Sequence, residues 1–147
     1  MRVVIQRVTE ASIHIGTSLE ASIDGGLMVL AAFAYGDDED ILRWMADKII
    51  SLRVFEDESG KMNLSLDENE GAIMVVSQFT LYGNCRKGRR PSFEKSAGPD
   101  KAEALYNRFL EILREHRGLT IEPGVFGKHM HVSLVNDGPV TLIIDKD

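Results

Sequence analysis

The chain of 147 residues reads as one α+β domain, dominated by strands that form a curved, barrel-like sheet, with two main helices. Three observations carry that class. β-Branched and aliphatic runs recur from the first residues to the last, two segments alone show helical spacing, and those two are separated by most of the strands. A chain of this length buries a real core, and its 44% hydrophobic and 27% charged composition is that of an ordinary globular protein. No repeat or linker divides it, so residues 1–147 are expected to fold as a unit.

Residues 3–8 are β-branched and aliphatic and read as a first strand. Residues 12–15 alternate polar and apolar, as a half-exposed second strand does, and Ser22-Ile23 is a short third before the Gly25-Gly26 turn. The longest apolar run, residues 27–35, falls well short of the roughly 20 residues that span a bilayer, so it reads as a strand covered on both faces. Asp37 and Asp38 supply cap chemistry for a helix over 39–51, with Ile41, Met45, Ile49 and Leu52 on its buried face and Trp44 placed in the core beside them.

Residues 53–55 look like a strand and Glu58-Ser59-Gly60-Lys61 like a turn. The most strand-like stretch is 72–82, followed by a loop over 83–99. Pro99-Asp100 opens a second helix to about residue 117, burying Leu105, Phe109, Ile112 and Leu113, and Gly118 stops it. The remainder holds three β-runs. Two of them, 132–135 and 140–144, flank Asp137-Gly138, which predicts a hairpin. Pro139 argues against a plain one, since it has no N–H for a ladder and restricts Gly138 before it. The segment is either a turn before an edge strand or a shaped piece of backbone with a role of its own.

A net charge of −6 argues against indiscriminate coating of nucleic acid but leaves room for a local basic patch. The single cysteine, Cys85, cannot form an internal disulfide and suits a reducing compartment. No cleavable leader is visible, so a cytoplasmic protein without a membrane partner is expected.

Chemistry concentrates in two places. On a strand, Gln78, Thr80 and Tyr82 would share one face and Ser77, Phe79 and Leu81 the other. Thr80 or Ser77 as a nucleophile would need a base beside it, and none is adjacent in sequence. Downstream lie Arg86, Lys87, Arg89 and Arg90, then Pro91-Ser92-Phe93. Such a loop is either solvated surface or a rim that reads phosphates, and Phe93 is either its anchor or a stacking platform. His129 and His131 have strand spacing but fall short of the three protein ligands of catalytic zinc. No metal or cofactor is expected. His14 and His116 read as surface residues, and Cys85 as a spectator thiol beside Arg86.

Three stretches together are more specific: Ile5-Gln6-Arg7-Val8, Ser77-Gln78-Phe79-Thr80-Leu81 and Asn136-Asp137-Gly138-Pro139-Val140-Thr141. Gly60-Lys61-Met62-Asn63-Leu64, Arg90-Pro91-Ser92-Phe93 and Val132-Ser133-Leu134-Val135 fall between them in matching order. From end to end the chain resembles the bacterial and eukaryotic type of D-aminoacyl-tRNA deacylase. A related deacylase group, specialised in other mischarged tRNAs, lacks the phenylalanine present here as Phe79. The chain departs from the family at Asn84-Cys85-Arg86, where a small-acidic pattern is usual, and at His129 and His131, which the family does not need.

The resemblance implies a homodimer that hydrolyses the ester between a D-amino acid, or glycine, and the terminal adenosine of tRNA. It implies that Gly138 and Pro139 of one subunit, with a cis peptide, enter the site of the other as a chiral selector. Arg7 and Asn136 would support them. Ser77, Gln78, Phe79 and Thr80 would form the substrate wall, with N–H groups near Phe79 and Thr80 as an oxyanion hole and the tRNA 2′-hydroxyl assisting. Arg86, Lys87, Arg89, Arg90 and Phe93 would meet the tRNA. A glycine lets main chain approach a ligand closely, so an L-side chain would collide where a D-side chain points away. The competing readings are a hydrolase of another ester with a Thr80 nucleophile, and a non-enzymatic RNA-binding module.

Overall fold

The spine of the fold is one long strand, β1 (Arg2–Ile15), in a computed structural model that describes residues 1–147. Residues 3–8 and 12–15, expected as two strands, are continuous because ladder partners run past the polar Thr9-Glu10 step between them. On one side β1 pairs antiparallel with β2 (Ser18–Ile23) along its second half and with β3 (Gly26–Ala32) along its first. A register shift between Val8 and Glu10 reverses which residues face inward. Val3 and Ile5 join the core under the helices, Val8 falls on the opposite face by alternation, and the shift brings Ala11 and Ile13 to the second core beside it.

Helix α1 (Glu39–Ser51) starts at Asp38, whose carboxylate accepts the Ile41 N–H at 3.1 Å, as the cap chemistry predicts. Trp44 is a correction. It is 39% exposed rather than core, because Leu42, Met45, Ala46, Ile49 and Ile50 take the buried face. A two-stranded hairpin follows, β4 (Phe55–Glu56) with β5 (Met62–Leu64), closed by the expected turn at Gly60.

β6 (Ala72–Ser77) pairs parallel with β3, and β3 is covered on both faces, with Leu27 and Val29 in the main core and Met28 in the second. The expected strand over 72–82 ends at Ser77. β3 stops at Ala32 and the last bond between them runs from the Gln78 N–H to the Ala31 carbonyl, at 2.7 Å. Without a neighbour to ladder against, residues Phe79–Tyr82 coil into a 3₁₀ turn, and the two predicted strand faces do not exist. For the same reason residues 33–35 leave the sheet: the Phe33 carbonyl accepts from Ala97 and the Ala34 N–H donates to Asp37.

Helix α2 (Pro99–Glu115) packs beside α1 on the main core and ends slightly before the expected limit. Tyr106 is buried there, its hydroxyl proton shared between the Val75 and Gly124 carbonyls at 2.8 and 2.9 Å. That ties α2 to the end of β6 and to the turn after β7 (Thr120–Pro123), which pairs parallel with β6. β2 curls back towards β6 and β7, giving the sheet its barrel-like form. The last strand, β8 (His131–Asp145), overturns the predicted hairpin. It runs through Asp137-Gly138 without reversing and pairs antiparallel with β1 on both sides of residues 137–140. Its other edge has no partner in the chain, and Val135 and Ile143 are 48% and 67% exposed there.

Glu39 joins the helices by accepting from Arg108 at 2.7 Å and from Arg43 at 2.8 Å, and Arg43 also reaches Glu115. Hydrogen bonds from Arg108 and then Arg43 hold its carboxyl down to about 2, against 4.5 ordinarily. A depressed carboxylate stabilises the fold fully above its unfolded value and loses that effect as pH falls through its folded value. Thermal unfolding midpoints should therefore drop between pH 4.5 and 2, less so in Glu39→Gln; matching profiles for the two proteins would remove Glu39 from this role.

Candidate active site

The middle of β8 is forced out of its ladder. Gln6 faces Thr141 and Val8 faces Asn136, so Arg7 alone stands opposite Asp137, Gly138, Pro139 and Val140. Arg7 lies on the apolar side of β1 with Val3 and Ile5 and is 5% exposed. A guanidinium there requires partners. Its Nη1 donates to the Val54 carbonyl at 2.6 Å and its Nε to the Asp137 carbonyl at 3.2 Å. The Asp137 carboxylate also lies 3.2 Å from Nε, and Glu56 lies 3.7 Å from Nη2.

A second clamp closes the bulge from within. The Asn136 side chain accepts the Val140 N–H at 3.0 Å and donates to the Thr141 hydroxyl at 2.9 Å. Between these braces the Gly138-Pro139 peptide is cis and exposed to solvent. Gly138 has φ of +125°, and a Cβ there would lie 2.9 Å from Val140 Cγ2 and 3.2 Å from Arg7 Nη2. No other residue fits that position without displacing the braces.

The second candidate surface is the turn that ends β6. Phe79 and Thr80 open it, no side chain caps it, and their N–H groups are the ones a 3₁₀ turn leaves without an internal acceptor. Ser77 closes the strand beside them. The Gln78 amide donates to the Thr80 hydroxyl, and an amide cannot take the proton a nucleophile must lose. Tyr82 offers no base either: burial above all pushes its hydroxyl up to about 12. Phe79 is 51% exposed and meets Phe93 edge to face at 5.0 Å. Phe93 also presses against Gly83, and so anchors the basic loop to the turn.

That loop is pinched at its base by paired Asn84 and Ser92 backbones, at 2.8 and 3.1 Å. Arg86, Lys87, Arg89 and Arg90 are exposed at its tip and none forms an ion pair. They stand free as a cationic rim. His129 and His131 lie elsewhere, at the start of β8, their rings edge to face at 5.2 Å.

One chain does not unite the two surfaces. Arg2 donates to the Leu81 carbonyl in the turn, whereas Arg7 holds Asp137. Five residues of strand separate these anchors, roughly 17 Å at about 3.3 Å per residue. The cleft of about 360 Å³ beneath the bulge is lined by Arg7, Gly25, Glu56, Asn69 and Asp137, and by none of residues 77–80. The braces at Val54, Glu56 and Thr141 were not foreseen from sequence. An arginine following Val3 and Ile5 on the buried face of a strand is the signal for the first two; Thr141 ends the third matching stretch, which implies no bracing role for it.

A family described as D-Tyr-tRNA(Tyr) deacylase matches residues 4–145. The D-aminoacyl-tRNA deacylase of Thermotoga petrophila is 54% identical over 145 residues, covering 99% of this chain and 97% of that protein. That of Thermus aquaticus is 57% identical over 145 residues, covering 99% and 95%. Among solved structures, the c-Myc DNA unwinding element binding protein superposes with a TM-score of 0.95 at 42% identity, over 100% of this chain and 99% of that one. A probable eukaryotic D-amino acid tRNA deacylase shares the fold with a TM-score of 0.85 at 23% identity, over 99% and 98%. The family model and the relatives define an enzyme, a deacylase. The chain belongs to the D-aminoacyl-tRNA deacylase family.

Proposed function

We propose that this protein hydrolyses the ester of D-aminoacyl-tRNA, and of mischarged glycyl-tRNA, while rejecting L-aminoacyl-tRNA. The observation that carries the reading is the exposed Gly138-Pro139 segment, braced by buried Arg7 and Asn136 yet distant from the turn at Phe79-Thr80 of its own chain. Such a segment has work to do on a second copy. The open edge of β8, with Val135 and Ile143 exposed, provides an apolar surface for a homodimer that brings one chain's Gly138-Pro139 to the other's turn.

In that shared site the Phe79 and Thr80 N–H groups receive the ester carbonyl oxygen and stabilise it as negative charge develops. Water attacks the carbonyl carbon, the ester C–O bond breaks, and the ribose oxygen leaves with a proton. The neighbouring 2′-hydroxyl of the tRNA assists, so no side-chain base is needed. Main chain at Gly138 occupies the space an L-side chain would need, and it ignores which D-side chain is present because it meets none of them. Ser77 and Gln78 complete the wall, and Arg86, Lys87, Arg89 and Arg90 meet phosphates of the tRNA, with Phe93 holding their loop in place. The reaction requires no metal or cofactor and belongs in the cytoplasm, where translation supplies the substrate.

The test is incubation with matched D- and L-aminoacyl-tRNA, following ester loss. Cleavage of the D-ester alone is expected; cleavage of both would remove the chiral selector, and of neither the deacylase. Thr80→Ala should keep activity within about tenfold, since loss of a true covalent nucleophile costs on the order of 10⁴ or more. A collapse of that size in a folded variant would restore Thr80 as nucleophile.

A further inference from the structure

Two exposed aromatic side chains outside the site each carry a lysine. Tyr35, 76% exposed, has the Lys101 ammonium 4.6 Å from its ring centroid, and that ammonium also donates to the Tyr35 carbonyl. Trp44, 39% exposed, has the Lys146 ammonium 5.2 Å from its centroid. The pairs belong to one surface. The Met1 nitrogen donates to the Asp37 carboxylate and to the Lys146 carbonyl, each at 2.6 Å, and Asp37 in turn accepts from Ala34, the neighbour of Tyr35.

That surface is continuous with the candidate site. Ala34 is bridged to Ser96, at the end of the basic loop. Lys146 follows Asp145, which pairs with Arg2 at 2.6 Å, and Arg2 holds the Leu81 carbonyl of the catalytic turn. The hydrogen bond from Arg2 keeps the Asp145 carboxyl below its ordinary range.

We propose that Tyr35 with Lys101 and Trp44 with Lys146 form a second RNA-contacting surface, which receives the acceptor-end nucleotides behind the terminal adenosine. The inference deepens the tRNA reading above and rests on it. A lysine held over one face of Tyr35 leaves the other face open to a base, and puts an ammonium where the adjoining phosphate lies. Stacking on an aromatic ring is tolerant of sequence, as an enzyme serving many tRNAs requires. In a chain of net charge −6, Lys101 and Lys146 beside exposed rings give the polyanion a local approach.

The test compares wild type with Tyr35→Ala and with the double variant Lys101→Gln, Lys146→Gln, all surface changes whose folding is checked by thermal unfolding. Affinity for uncharged tRNA is titrated across a salt series, and turnover is followed on D-aminoacyl-tRNA and on a D-aminoacyl ester of adenosine alone. Tyr35→Ala should weaken tRNA binding about tenfold, and the lysine variant should also flatten the salt dependence. Turnover of the adenosine ester should not change. Unaltered tRNA affinity would overturn the proposal, as would an equal loss on both esters. Lost self-association in place of lost RNA affinity, read by sedimentation, would reassign the surface to a protein contact. Failure of wild type to cleave D-aminoacyl-tRNA would fall on the deacylase reading, while the tRNA titration would still decide this one.

Discussion

Gly138→Ala is expected to lose on the order of 100-fold in kcat/KM on D-aminoacyl-tRNA, the scale of loss that an ångström-sized misplacement causes in an active site. The cause is local. At φ of +125° an L-residue is strained, and its Cβ would lie within 2.9–3.2 Å of Val140 and Arg7. Relief requires moving either the bulge or the guanidinium that holds it, and both displace the main chain assigned to chiral selection. Global stability should suffer far less, because the segment is exposed and outside both cores. Steady-state kinetics beside thermal unfolding separates these effects. Near wild-type kinetics in the variant would mean that the Gly138 backbone does not reach the substrate.

Arg7→Lys is the second large effect. Arg7 spans the Val54 carbonyl, the Asp137 carbonyl and the Asp137 carboxylate with a planar fork, while an ammonium on a flexible stem cannot hold all three. One charge-assisted bond lost from a buried site costs about 2 kcal/mol. With the brace slack, the bulge no longer excludes an L-side chain reliably, so discrimination should fall about tenfold or more. Urea unfolding measures the first and the D-to-L ratio of kcat/KM the second. A lysine variant with unchanged selectivity would leave Arg7 a purely structural residue.

Much of this architecture was legible in the chain. The two helices, their Asp38 and Pro99 starts, and a doubly covered strand, expected over 27–35 and formed by 26–32, follow from caps and apolar patterning, which are local. The misreadings share a different cause, in partners that sequence does not display. Residues 78–82 have strand composition but no neighbouring strand once β3 has ended. Asp137-Gly138 has hairpin chemistry, yet β1 is long enough to pair both flanking runs, so the chain bulges instead of turning. Trp44 sits beside a helical stripe that five smaller side chains already fill. At the site, Gly138 and Pro139 stood out by residue type and Arg7 through the family resemblance, whereas the Val54 carbonyl and the Thr141 hydroxyl act through atoms that any residue, or many surface residues, could supply.

The bulge also bears on solubility. An open strand edge as long as that of β8, carrying Val135 and Ile143, is a template on which further strands can add without limit. Pro139 offers no N–H at its centre, and the extruded residues 137–140 divide the edge into two short halves. Neither half presents an unbroken ladder. The segment assigned to reading chirality thus also interrupts the edge of the single chain as a template for added strands.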